Sequence, residues 1–155
     1  MKKFIFTALT TFMLTNMANA QKIIAHRGYW DTENNAKNSI KSLKSAQEIG
    51  AYGSEFDVLI SADDVLMVNH DDNFQGHAIE MTNSSILKTL KLANNENMPT
   101  LEEYFEQGKK NKKVKLIFEL KPHSSKENEN RAVKKAIEII KKHKVEKQVE
   151  IISFS

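Results

Sequence analysis

Five short apolar segments, rich in valine and isoleucine, constrain the fold of this chain more than any other feature of its sequence. They occupy residues 22–26, 53–60, 65–70, 114–120 and 149–154. Near-continuous apolar runs of this length are typical of parallel strands that are covered on both faces. Helical patterns separate several of the segments, at residues 38–49, 100–107 and 129–142. This alternation of strand and helix predicts an α/β fold.

The first twenty residues form a separate segment. Two lysines at 2–3 precede an apolar run at 4–14, and Ala18 and Ala20 supply a small-x-small cleavage site. This order is typical of a secretory signal peptide, although an ordinary N-terminal helix or a membrane anchor is the alternative. The run is shorter than the roughly 20 apolar residues of a spanning helix. We therefore expect cleavage after Ala20, export to the periplasm or the medium, and no membrane span in the mature chain.

The composition excludes several kinds of site. The chain contains no cysteine, which rules out disulfides, thiolate metal sites and a thiol nucleophile. Without the first twenty residues, 21 basic residues are balanced by 20 acidic ones, so the charge gives no support for nucleic-acid binding. The lysine-rich segment 109–113 has no interleaved aromatic residues and is interpreted as a solvated loop.

Ionisable residues stand at or near the ends of the first four predicted strands. They are His26 and Arg27, Glu55 and Asp57, His70, and Glu119 and Lys121. Glu55 and Asp57 are separated by one residue and therefore project from the same face of their strand. In a parallel barrel, the carboxyl ends of the strands form the active site. The pattern predicts one shared site. Taken singly, each histidine could instead be a structural residue, and Glu119 and Lys121 could form a simple ion pair.

The types of these residues predict the chemistry of the site. The carboxylates of Glu55, Asp57 and Glu119 form an oxygen ligand set suited to Mg²⁺ or Ca²⁺. Two histidines can exchange protons with a nucleophile and with a leaving oxygen. Arg27 and Lys121 are suited to an anion with delocalised charge. Together these groups indicate cleavage of a phosphodiester.

Five motifs resemble those of the glycerophosphodiester phosphodiesterase family. They are HRG at 26–28, EFDV at 55–58, VNHDD at 68–72, PTLEE at 99–103 and FELK at 118–121. The resemblance implies a TIM-type (β/α)8 barrel that hydrolyses glycerophosphodiesters, with a divalent metal, to an alcohol and glycerol 3-phosphate. It also implies roles for seven residues: His26 and His70 as catalytic acid and base in an order left open, Glu55, Asp57 and Glu119 as metal ligands, and Arg27 and Lys121 as phosphate-binding residues.

The chain also departs from the family pattern. After HRG the family commonly has Pro-Glu-Asn-Thr, whereas this chain has Ala-Lys-Asn-Ser at 36–39, so a lysine replaces the glutamate. A barrel of this type takes about 250 residues. We therefore expect residues 21–155 to form its N-terminal part, truncated after the fifth strand. A phosphodiesterase acting on phosphoinositides or lysophospholipids and an inactive truncated fragment are the alternative interpretations.

Overall fold

A computed structural model describes residues 21–154 of the chain; the predicted signal peptide lies outside these residues. The strands are β1 Ile24–Ala25, β2 Gly53–Ile60, β3 Leu66–Val68, β4 Asn73–Phe74, β5 His77–Ala78, β6 Lys115–Leu120 and β7 Val149–Ile152. The helices are α1 Ile40–Glu48, α2 Ser84–Leu87, α3 Leu101–Gly108 and α4 Lys126–His143, and a 3₁₀ turn covers Ile79–Met81.

Three helices form where the sequence predicts them. Helix α3 begins at a capping box: Thr100 Oγ1 accepts a hydrogen bond from Glu103 N, and Thr100 N donates to the Glu103 carboxylate at 2.9 Å. Helix α4 begins three residues earlier than predicted, because Ser125 caps a polar first turn that the apolar pattern does not reveal.

Four strands form a parallel sheet in the order β1-β2-β6-β7. Neighbouring parallel strands require a crossover connection, and helices α1 and α4 belong to two such connections. The predicted α/β class with a parallel sheet is therefore confirmed. Among residues 21–154, no helix is long and apolar enough to cross a membrane.

The third predicted strand does not run in the predicted direction. Strand β3 pairs with β2 in antiparallel fashion, with Val68 beside Val58 and Leu66 beside Ile60. The five residues 61–65 between these strands can form only a hairpin turn, because a parallel pair needs a much longer crossover. The prediction of five successive barrel strands is therefore wrong, since the main sheet contains four parallel strands and an additional antiparallel one.

Strand β2 has one edge that β1 and β3 share. Strand β6 covers the other edge from Gly53 to Val58, while β1 pairs only at Gly53 and Ser54 and β3 only from Val58 onward. The intervening segment, residues 55–57, receives its hydrogen bonds from loops instead. Glu55 O accepts from Gly28 N at 3.1 Å, and Asp57 O accepts from Asn69 N at 3.0 Å. This gap brings the loops after β1 and β3 to the middle of β2.

The two faces of β2 and β6 have different environments. Phe56, Val58 and Phe118 belong to the main core with residues of α1, α3 and α4, and the ring of Phe56 lies 4.3 Å from that of Tyr104. The opposite face carries Glu55, Asp57 and Glu119. A second, smaller apolar cluster is separate from the main core. It consists of Leu59, Met67, Ile79, Leu87 and Met98. The helix-facing side therefore provides the core, and the other side provides the polar site.

Candidate active site

Three carboxylates converge on the face of the sheet that points away from the helices. Glu55 and Asp57 lie on β2, and Glu119 lies directly beside Asp57 on β6. One oxygen from each lies within 4.8 Å of the others. The exposed fractions are 6% for Glu55, 0% for Asp57 and 7% for Glu119. Backbone pairing between two parallel strands thus holds three buried acids together.

The carboxylates lack enough donors within the protein. Glu55 Oε1 and Asp57 Oδ1 are buried and have no hydrogen-bond partner among residues 21–154. Burial raises the pKa of Glu55 to about 7; the negative charges of Asp57 and Glu119 add to this effect, and the Arg27 N–H, which donates to Glu55 Oε2 at 2.8 Å, opposes it. Buried oxygens without donors fit a divalent cation, so Glu55, Asp57 and Glu119 are the residues that can hold the metal.

Two cationic side chains border the acids. Lys121 Nζ lies 2.8 Å from Glu119 Oε1 and 3.6 Å from Asp57 Oδ1. Burial opposes the charge of Lys121, but its contacts with these two carboxylates raise its pKa overall. Arg27 Nε lies 3.6 Å from Asp57 Oδ2. Two cationic side chains thus lie beside three acidic ones, which again fits a bound cation.

The two predicted histidines lie at the rim of the site. His26 Nε2 is 3.8 Å from Glu55 Oε2, and 69% of its side chain is exposed. His70 Nδ1 is 2.7 Å from Asp71 Oδ1. A carboxylate next to Nδ1 favours the tautomer that carries a proton there, which leaves Nε2 to exchange a proton with a ligand. All seven predicted site residues therefore surround one region of the molecule, and their roles remain predictions.

The route by which His70 reaches the site differs from the prediction. The prediction places it at the carboxyl end of a parallel strand, but β3 is antiparallel. The chain returns along the edge of β2, and Asn69 N bonds to Asp57 O just before His70. The hairpin thus delivers the histidine to the same place from the opposite direction.

The loop after β1 is fixed by an unusual backbone conformation. Arg27 has φ +58° and Gly28 has φ +78°. A Cβ atom at Gly28 would lie 2.3 Å from Ser42 Oγ on helix α1, so only glycine fits. The close approach allows Ser42 Oγ to donate to Arg27 O at 3.1 Å. The arginine backbone is thereby held against Glu55.

Asn38 is a further site residue that the sequence prediction did not include. Its Nδ2 donates to Asp57 Oδ2 at 3.0 Å, and its Oδ1 accepts from Asp57 N at 3.4 Å. The residue is 4% exposed and has φ +58°, a conformation that asparagine tolerates better than most residues. Its place in the Ala-Lys-Asn-Ser segment was the available signal. Its amide orients the central carboxylate of the three.

His123 has a different function from the site histidines. Its Nε2 accepts a hydrogen bond from Ile60 N at 3.1 Å, at the end of β2. Burial lowers its pKa, in agreement with a neutral ring that accepts this bond. His123 therefore stabilises the end of the strand that carries Glu55 and Asp57.

A cavity of about 340 Å³ opens beside the site. Arg27 and His70 form the side next to the carboxylates, and Trp30, Lys37, Asp71, Phe74 and Leu92 are among the other lining residues. The cavity is large enough for a small organic group next to a phosphate.

The family assignment follows from comparison with known proteins. The sequence model of the glycerophosphoryl diester phosphodiesterase family matches residues 26–155, so the chain belongs to this family. A curated glycerophosphodiester phosphodiesterase of Caldanaerobacter subterraneus subsp. tengcongensis is 38% identical over an alignment that covers 54% of this chain and 39% of the relative.

Solved structures give the same assignment. The crystal structure of a glycerophosphodiester phosphodiesterase from Parabacteroides distasonis is 50% identical, with a TM-score of 0.84 over 86% of this chain and 56% of that one. An Oleispira antarctica phosphodiesterase, solved with its product sn-glycerol-3-phosphate, is 27% identical, with a TM-score of 0.77 over 87% and 58% of the two chains. The chain thus spans about half the length of these solved relatives. The predicted fold is confirmed as part of a TIM-type barrel.

Proposed function

We propose that the protein hydrolyses glycerophosphodiesters to an alcohol and glycerol 3-phosphate. The observation that carries this proposal is the convergence of three buried carboxylates, two cations and two histidines in a member of this family. The product bound in the Oleispira structure, sn-glycerol-3-phosphate, is the one expected of this reaction.

Two groups of side chains bind the metal and the phosphate in the proposed reaction. Glu55, Asp57 and Glu119 hold Mg²⁺ or Ca²⁺, which supplies charge neutralisation for the phosphate when it is bound. Arg27 and Lys121 bind the phosphoryl oxygens.

The histidines move the protons. One takes the proton of the nucleophile, which is water or a neighbouring hydroxyl of the substrate, and the other gives a proton to the oxygen of the departing alcohol. Asp71 holds the ring of His70 so that Nε2 exchanges the proton.

The test is release of glycerol 3-phosphate from glycerophosphodiesters by purified protein carrying this chain, with Mg²⁺ or Ca²⁺ and then with excess chelator. We expect His26→Ala and His70→Ala each to lower kcat by at least about 100-fold. His77→Ala is the matched control, because His77 lies in β5 outside the site. Near-normal turnover in both site variants would refute the assignment of the histidines.

We also propose that residues 1–20 are removed on export. The two lysines, the apolar run and the small residues before Gln21 support this proposal. The mass of the protein recovered from the periplasm or the medium tests it. A mature N-terminus at Gln21 is expected, and a product that retains Met1 would contradict it.

A further inference from the structure

The wall of the cavity beside the site carries a positively charged side chain next to an aromatic ring. Lys37 Nζ lies 4.5 Å from the centre of the Trp30 ring, and both residues line the cavity. An ammonium over the face of an indole is held by the negative charge of the ring face. One face of the Trp30 ring is therefore already occupied by the protein's own cation.

Lys37 has no carboxylate partner in the described part of the chain. Among residues 21–154, no carboxylate forms an ion pair with Lys37. Arg27 also lines the cavity, but its Nε lies 3.6 Å from Asp57 Oδ2, so a carboxylate of the site offsets its charge. The one carboxylate on the wall, that of Asp71, is bound to His70 at 2.7 Å. Lys37 therefore places an ammonium without a carboxylate partner beside Trp30, which favours hydroxyl oxygens and repels an ammonium group brought to the same ring.

The position of the cavity indicates which part of a substrate it can bind. Arg27 and His70 belong both to the cavity wall and to the site. A diester whose phosphate lies at Arg27 places one of its two organic arms in the cavity. The remaining wall is apolar at Phe74 and Leu92, which suits the carbon skeleton of a polyol.

We propose that this cavity binds the alcohol arm of the substrate and that Lys37 selects an uncharged polyol, such as glycerol, over an arm carrying a quaternary ammonium. The proposal rests on the proposed hydrolysis of glycerophosphodiesters, which it deepens by naming the class of alcohol. Lys37 donates to the hydroxyl oxygens of the polyol. A choline arm has no acceptor for it and brings a second positive charge to the same aromatic face.

Trp30 is the single tryptophan of the chain, so its fluorescence reports on this cavity alone. The experiment titrates the full chain carrying His26→Ala, which should turn over slowly and does not alter the cavity wall, with glycerophosphoglycerol and with glycerophosphocholine in Mg²⁺ or Ca²⁺. The two diesters share the glycerol 3-phosphate arm and differ only in the other arm. We expect glycerophosphocholine to bind about tenfold more weakly, as expected for two like charges a few ångströms apart beside water.

Two variants with the same change of charge distinguish an effect of the cavity from an effect of the overall charge. Lys37→Gln is expected to remove most of the tenfold preference. Lys44→Gln is the control, because Lys44 pairs with Glu48 on the exposed surface of α1; it should leave the preference unchanged. Equal effects of the two variants would assign the preference to net charge and overturn the proposal.

The remaining outcomes distinguish this proposal from that of hydrolysis. Equal affinity of the His26→Ala chain for the two diesters, or no fluorescence change with either, would overturn the assignment of the cavity. Hydrolysis of both diesters with equal kcat/KM would also overturn it while leaving the proposed function intact. Selective binding without release of glycerol 3-phosphate would support the cavity and contradict the proposed function.

Discussion

Two clusters on this chain combine carboxylates with a lysine and a histidine, and they differ in how completely their charges are paired. In the site, Glu55, Asp57 and Glu119 are buried beside Lys121. The second group, here called the α3–α4 cluster, consists of Glu102 and Glu106 on α3 with Lys142 and His143 on α4. Glu102 Oε2 lies 2.7 Å from Lys142 Nζ, and Glu106 Oε1 lies 3.1 Å from His143 Nδ1.

The two clusters shift carboxylate pKa values in opposite directions. Burial raises the pKa of Glu55 to about 7. The hydrogen bond from Lys142 lowers the pKa of Glu102, with a smaller contribution from His143 and opposition from partial burial. The exposed acids of the α3–α4 cluster have therefore relaxed to a paired state, because their long side chains can rotate towards their partners.

Strand pairing prevents such relaxation in the site. Asp57 and Glu119 are fixed as neighbours by the register of β2 and β6, and Asn38 holds one oxygen of Asp57. The acids therefore stay close together although their repulsion is unfavourable. Buried carboxylate oxygens that lack donors fit an external cation, whereas Glu102 of the α3–α4 cluster is partly exposed and already has Lys142 as its partner.

The largest effect is expected when one acid is removed from the site. Glu119→Gln should weaken the binding of Mg²⁺ and Ca²⁺ by at least about 100-fold, because one of three charged ligands is lost. Titration calorimetry measures the affinity. Glu102→Gln, the same substitution in the α3–α4 cluster, should leave it unchanged. Equal losses in the two variants would show that the metal senses only overall charge.

A second prediction uses the opposite pKa shifts in the metal-free protein. The folded-state pKa of Glu55 lies above its ordinary value of 4.5, so the folded state binds more protons than the unfolded one between these values. Its contribution to stability is therefore lost as the pH rises from about 5 to about 7. The stability of Glu55→Gln relative to wild type should rise over that window by about 2 kcal/mol, discounted from the full shift for screening by water.

Urea unfolding in chelator, from pH 5 to pH 8, measures this difference. Glu102→Gln is the control, because a lowered pKa gives stability that is present above the ordinary value and lost only at lower pH. Its stability relative to wild type should stay constant across the window. A constant difference for Glu55→Gln as well would contradict the raised pKa of Glu55.

The smallest expected effect concerns the α3–α4 cluster itself. Glu102→Gln should lower the free energy of unfolding by about 0.5 kcal/mol at low salt, as is usual for an exposed ion pair. Added salt should reduce this cost, because exposed charges are screened. Thermal or urea unfolding at two salt concentrations measures it. A cost of several kcal/mol that salt does not change would show that this cluster is not the relaxed surface pair described above.

Much of this architecture could be predicted from the sequence because the signals are local. Apolar runs marked β2 and β6, and the spacing of Glu55 and Asp57 placed both on one face. The direction of β3 could also have been inferred, since the four residues 61–64 are too few for a crossover. The sequence prediction nevertheless counted this segment among the parallel barrel strands.

Other features depend on contacts between distant segments. The bond from Asn38 to Asp57 requires a left-handed backbone at Asn38 and the gap in the edge of β2. Neither is visible in a linear pattern. The stacking of Lys37 on Trp30 likewise depends on how the loop after β1 folds back on itself. Residue types predicted the chemistry, and the loops determined its geometry.

The central claim is that the three carboxylates form a site for a divalent cation, and metal-dependent thermal stability tests it most directly. The measurement compares the Tm of wild type and Asp57→Asn in chelator, in Mg²⁺ and in Ca²⁺. At about a hundredfold excess over Kd, wild type should gain about 2.7 kcal/mol, a rise in Tm of order 10 °C. Asp57→Asn should show little rise. An unchanged Tm of wild type with both metals, or an equal rise in the variant, would contradict the claim.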